Sequence, residues 1–185
     1  MQIKFSISNL LILISSFVTL LSYFYPSLYI LGINNIFLNE WLYHILIIQF
    51  FIWTFIHWWL MHLIFNSVFL YVFWNIVEIL IWRNKYILFF VFTVLFNWIL
   101  LSVFSSANTV WISWFAMALL WYYVLDLRLK HNPEYKGWIT AIILNIWIWF
   151  MPWISLFWHL FWVISGILFF ILNKFIFDKI QKIKN

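Results

Sequence analysis

Ser113, His159, His62 and Asn66 are polar residues set inside long apolar runs of a 185-residue chain, and together they are the parts of a hydrolytic site. A serine hydroxyl is a weak nucleophile until a base takes its proton. Histidine, with a pKa near neutrality, suits the base. Attack on a carbonyl creates an oxyanion that needs preorganised donors. His62 and Asn66 are spaced i, i+4, so on a helix they point the same way. They and the Ser113 backbone N–H are the candidate donors. No carboxylate completes a triad. Glu78 is 16 residues past His62, about 24 Å away along a helix. Asp126, Glu134 and Asp178 fall at the other ends of the apolar runs, and nothing sets Glu40 against His159. The expectation is a Ser113–His159 dyad whose imidazole is oriented by packing and hydrogen bonds. His57 and His62 are five apart, a poor spacing for two ligands on one helix face, with no carboxylate near. Neither a metal nor a cofactor is expected.

Each residue alone has a plainer explanation. A serine in a membrane helix usually bonds back to its own backbone. A lone histidine is a packed or interfacial side chain, and a lone asparagine joins helices. The enzymatic expectation rests on all four occurring at one depth, which depends on the elements that carry them.

Those elements follow from composition. The chain is 68% hydrophobic and 8% charged, against about a quarter charged for a soluble domain. Such a chain cannot cover a water-facing surface, so lipid is its expected solvent. A span needs about 20 apolar residues, which leaves room for about six spans. They read as 8–31, 59–81, 86–104, 111–126, 137–151 and 157–177. Residues 32–56 form a loop half-sunk in the interface. The whole, 1–185, reads as a single membrane domain. The first run follows Lys4, is too long for a signal-peptide core and lacks a small-residue cleavage site, so it reads as a span. The absence of cysteine excludes disulfides, thiolate metal sites and cysteine nucleophiles.

With six spans, all ten Lys and Arg fall on one side: Lys4, Arg83, Lys85, Arg128, Lys130, Lys136, Lys174, Lys179, Lys182 and Lys184. By the positive-inside rule that side, with both termini, is the cytoplasm. The net charge of +5 then meets anionic headgroups of the lipid bilayer, and no nucleic acid is needed as a partner. Spans two, four and six start at the outer face. His62 and Asn66, Ser113 and His159 lie early in those spans and share one shallow level.

At that depth the motifs resemble those of rhomboid-type intramembrane serine proteases. FIHWWLMHLIFNSVFLYVFWNIVE carries His57, His62 and Asn66 in the family's H-x4-H-x3-N spacing, with Glu78 matching its acid at the cytoplasmic end of that helix. WISWFAMALL resembles G-x-S-G, with Ser113 in the nucleophile position. WHLFWVISG resembles G-H-x-x-G-x-x-x-G, with His159 in the base position. The resemblance covers about residues 40–177. It implies a six-helix rhomboid-like bundle, cleavage of transmembrane segments of other membrane proteins by a Ser–His dyad, and an oxyanion hole at His62 and Asn66. It also implies that span five and the loop Met151–Leu156 gate the substrate.

The departures share one form. Where the family has Gly, this chain has Trp: Trp111 and Trp114 around Ser113, Trp158 and Trp162 around His159, Trp74 before Glu78, and Trp58 or Trp59 after His57. Only Gly166 remains. The chain has 16 Trp and 3 Gly, whereas Gly is normally about 7% of residues. In some bacterial lineages UGA is read as glycine. Translating such a gene under a code in which UGA means Trp produces these swaps, and the Ile/Phe/Asn/Lys-rich composition fits a low-GC genome. Trp114 and Trp162 would wedge spans four and six apart, because close helix contact in lipid relies on small residues. Two alternatives stand beside the enzyme. One is a catalytically inactive rhomboid-like protein that binds membrane partners. The other is a small transporter component, which the absence of a polar path through the membrane disfavours. Substrate identity and oligomeric state are not legible.

Overall fold

The computed structural model describes residues 6–57, 60–106, 108–110, 113–149 and 156–177, and for 72–74, 113–114, 144–149 and 156–158 the backbone alone. Lys4, Trp58, Trp59, Trp111, the loop 151–155 and the tail from Asp178 lie outside the described residues, as do the side chains of Trp74, Ser113, Trp114 and Trp158.

All regular structure among the described residues is helical. The helices are α1 Ile7–Phe24, α2 Ile36–Asn39, α3 Tyr43–Ile52, α4 Leu60–Ile81, α5 Arg83–Phe104, α6 Ser113–Leu129, α7 Tyr135–Trp149 and α8 Leu156–Ile171, the last continuing as π-helical turns over Leu172–Phe177. Among the described residues, four stretches are long and apolar enough to cross a membrane: α1, α4, α5 and His159–Ile176. At 17 and 15 residues, α6 and α7 are shorter. The expected first span, 8–31, is cut short. Its helix stops at Phe24, and Pro26 opens a 3-10 turn to Leu31. A residue that precedes proline is pushed out of the helical region, and Tyr25 sits at φ −126°, ψ 77°.

The chain forms two compact units, Met1–Ala116 and Met117–Asn185. In the first, α1 packs chiefly on α4. The buried face of α1 is Ser8, Leu11, Ser15, Thr19 and Ser22, a helical repeat of mostly small residues. Small side chains let helix axes approach where lipid supplies little hydrophobic drive. The opposing face of α4 buries Leu63, Asn66, Leu70, Val77, Glu78 and Ile81. The outer face of α1 exposes Leu13, Phe17, Leu20 and Phe24, as a lipid-facing surface does.

Glu78 fixes the direction of this pair. Its carboxylate accepts from Ile7 N (3.1 Å), Ser8 N (3.4 Å) and Ser8 Oγ (3.1 Å), with Arg83 Nε at 3.9 Å. A buried anion at a helix N-terminus is favoured by the unsatisfied N–H groups and the helix dipole. The start of α1 therefore lies against the end of α4, and the two run antiparallel.

In the second unit α6 and α8 run parallel. Their contacts step down both helices a turn at a time, from Ala118 with Gly166, to Tyr122 with Phe170, to Asp126 with Lys174. Gly166 lets the backbones meet: a Cβ there would lie 2.5 Å from the Ala118 carbonyl oxygen and 2.9 Å from its Cα. At the lower end Asp126, 1% exposed in its side chain, takes Lys130 at 2.7 Å and Lys174 at 2.8 Å. Asn173 donates to the Tyr122 hydroxyl at 2.5 Å. On the other flank of α6, Tyr123 meets Trp138 of α7, ring centroids 6.0 Å apart.

Candidate functional site

The two histidines and the asparagine gather where the chain enters α4. His57 precedes that helix and is fully buried. Its Nδ1 lies 3.1 Å from Thr19 Oγ1 and 3.3 Å from the Phe55 carbonyl, while the Tyr29 hydroxyl donates to the His57 carbonyl at 3.1 Å. Thr19 Oγ1 also donates to Phe55 O (3.2 Å), so the end of α1 pins this segment. Burial, then the neighbouring His62 ring, hold His57 down at about 3, and it is neutral at physiological pH. The His62 ring stands edge-on to the His57 ring, with centroids 5.5 Å apart. One turn further, Asn66 is buried, and its Nδ2 has no hydrogen-bond partner among the described residues.

Ser113 is the first residue of α6. The described residues between α5 and Ser113, 105–106 and 108–110, are not helical. Ile33 and Thr109 exchange backbone hydrogen bonds (2.7 and 2.8 Å), and Asn35 N donates to Ser105 O (2.7 Å). Asn34 Nδ2 donates to Asn108 Oδ1 and to Gly32 O, both at 3.1 Å; Gln49 Nε2 donates to Gly32 O at 2.6 Å; and Asn108 Nδ2 donates to Tyr29 O. Ser105, Thr109 and Val110 are buried in this clamp. The first turn of α6 then seats Phe115 on α5, with ring centroids 5.8, 5.4 and 5.1 Å from Tyr86, Phe89 and Phe90. Phe90 also meets Phe55 at 6.4 Å. The segment leading to His57 and the helix begun by Ser113 thus converge on one residue of α5. Phe90 stands 14 residues before the end of α5 at Phe104, roughly 20 Å back along the helix axis.

His159 lies in the first turn of α8, 9% exposed. The Trp162 ring packs against its imidazole, centroids 4.3 Å apart. Trp162 is itself buried, and its indole nitrogen has no partner among the described residues. No three His, Asp or Glu side chains converge as a metal site among the described residues.

Four features escaped the sequence reading: Glu78 as cap of α1, the Thr19 and Phe55 contacts of His57, the Gly32–Asn34–Gln49–Asn108 clamp, and the Asp126–Lys130–Lys174 cluster. The helical spacing of Ser8, Ser15, Thr19 and Ser22 was the one visible signal, marking the face of α1 that packs. Asp126 and Lys130 are an i, i+4 pair, but the contacts of Glu78 with Ser8, of Thr19 with His57, of Asn34 with Asn108 and of Asp126 with Lys174 join residues far apart in the chain. No protein-family model matches the chain, and no curated protein matches it.

Proposed function

We propose that this protein is an intramembrane serine endopeptidase that cleaves transmembrane segments of other membrane proteins. It is a six-span rhomboid-like bundle in a bacterial cytoplasmic membrane, with both termini in the cytoplasm. Ser113 attacks the scissile carbonyl. His159 takes the serine proton and returns it to the leaving amine. His62, Asn66 and the Ser113 N–H hold the oxyanion, and water enters from the outer face.

The observation that carries the proposal is the meeting point on Phe90. Phe55 and Phe115 both pack there, each two residues along the chain from a proposed site residue or its neighbour, His57 and Ser113. Two more observations support it. A buried amide donor without an acceptor, as at Asn66, is costly unless something fills it, and an oxyanion would. Within the second unit, the parallel run of α6 and α8 from Ala118 and Gly166 downward supports a close pair formed by the two helices on which the motifs carry a serine and a histidine.

One observation favours the second reading, a non-catalytic rhomboid-like protein. The Trp162 indole lies on the His159 ring, where the motif has glycine. The test is cleavage of a fluorogenic transmembrane substrate in liposomes. The chain as written is compared with one carrying Gly at 111, 114, 158 and 162. On helix propensity alone, each Gly costs about 1 kcal/mol and the four only destabilise. The proposal expects them to create or raise activity. In the Gly chain, Ser113→Ala and His159→Ala should each abolish cleavage, and the double variant should lose little more, because the pair acts as a unit. Substantial cleavage surviving Ser113→Ala sinks the serine-protease assignment.

A further inference from the structure

Two tryptophans stand on backbone shaped for glycine. Helix α2 ends in a Schellman motif: Trp41 N donates to Leu38 O (3.2 Å) and Leu42 N to Phe37 O (2.9 Å), with Glu40 as the cap. Trp41 occupies the position just past the cap, at φ 58°. That position takes the left-handed conformation and is usually glycine. Trp82 joins α4 to α5 at φ 68°, ψ 148°. Positive φ with extended ψ borders a region occupied almost by glycine alone.

Packing does not hold either indole there. Trp41 is 75% exposed and Trp82 77%. Trp41 touches the ring of Tyr43, itself exposed. A membrane interface accounts for an exposed indole but not for its φ. The third non-glycine residue at positive φ among the described residues makes the contrast. His131, at φ 54°, holds the same position in a Schellman motif that ends α6, with His131 N on Arg128 O (3.1 Å) and Asn132 N on Leu127 O (3.0 Å). Histidine is among the side chains enriched at left-handed φ; a bulky aromatic there is a genuine outlier.

We infer that positions 41 and 82 are glycine positions, and that the protein made by its own cells carries glycine at both. Neither residue belongs to the proposed catalytic machinery, so the inference holds or fails whatever the chain catalyses. It rests on backbone conformation, whereas the swaps around Ser113 and His159 rest on motif spacing.

Two measurements test it. The protein is isolated from membranes of the cells that encode it, and the masses of the peptides spanning 41 and 82 are read. Glycine is expected at both; tryptophan at either overturns the inference. Separately, the paired variants Trp41→Gly with Trp82→Gly, and Trp41→Ala with Trp82→Ala, are melted in one detergent beside the chain as written. Both pairs remove the indoles, and only glycine relieves the positive φ. The glycine pair should melt several degrees above the alanine pair. A glycine pair that melts at or below the alanine pair overturns the conformational basis, and the comparison stands even if the chain as written fails to fold.

Discussion

Asn66 and His57 are buried side chains whose polar atoms are incompletely matched, and each makes a different demand. The Asn66 amide donor is free among the described residues. If it serves an oxyanion, Asn66→Ala should lower kcat by about 10²–10³-fold, as loss of one such donor does. KM should move little, because the oxyanion exists only in the transition state. A variant with unchanged kcat and raised KM would reassign Asn66 to substrate contact. His57 predicts a pH effect. Its folded pKa is about 3 against an ordinary 6.5. Between those values the unfolded chain binds a proton that the folded chain refuses, so stability falls as pH drops below 6.5 toward 3 and is unaffected above. Melting curves across that range should show the loss, and His57→Gln should flatten it. An unchanged acid slope in the variant would show that His57 is not the group responsible. Trp98, Trp121 and Trp162 each bury an indole nitrogen with no partner among the described residues, although a buried Trp N–H usually finds one.

Helix positions were legible in the sequence, and helix neighbours were not. Apolar run length marks a span, so α1, α4, α5 and α8 fall close to their expected places. The end of the α1 helix at Phe24 is not legible in hydropathy, because Pro26 lies inside a continuous apolar run and hydropathy does not register a backbone constraint. The contact of Ser8 with Glu78 joins residues 70 apart and leaves no local pattern. For the candidate site the sequence offers residue types and spacing, with His57, His62 and Asn66 gathered at the entry to α4. Its clamp, from Gly32 to Asn108, is long-range and was not legible. Glycines give the sharpest test of the packing. A Cβ at Gly166 would meet Ala118 backbone, which cannot swing aside, whereas a Cβ at Gly137 in the first turn of α7 meets nothing within 4 Å. Gly166→Ala should therefore destabilise by about 1–3 kcal/mol through overpacking. Gly137→Ala should be neutral or stabilising by up to about 1 kcal/mol through helix propensity. Thermal melts of the two variants side by side decide it, and equal shifts would mean that α6 and α8 do not touch at Gly166.

At the scale of the whole molecule, the proposal makes a statement about sidedness. Arg83 and Lys85 follow α4, whose end lies beside the start of α1, so the start of α1 and these two basic residues share one end of the helix pair. The proposed six-span topology would put Arg128, Lys130, Lys136 and Lys174 on that side as well. Reporter fusions near Asn108 and near His131 should report opposite sides of the membrane. The same side for both would remove the six-span topology, and with it the expectation that Ser113, His62 and His159 share one depth.

The extended entry to α6 bears on biogenesis. A helix of 17 residues is about 25 Å long, short of the roughly 30 Å hydrocarbon layer. The described residues ahead of it, 105–106 and 108–110, are not helical. Bare backbone cannot sit in lipid with its N–H and C=O groups unmatched; here Ile33 pairs with both backbone groups of Thr109, and Asn35 N–H donates to the Ser105 carbonyl. Those partners are synthesised first, so the growing chain already holds the template when residues 105–110 emerge. A nascent chain arrested after α6 should keep that helix in the membrane when residues 32–36 are intact, and release it when they are replaced by a Gly/Ser linker.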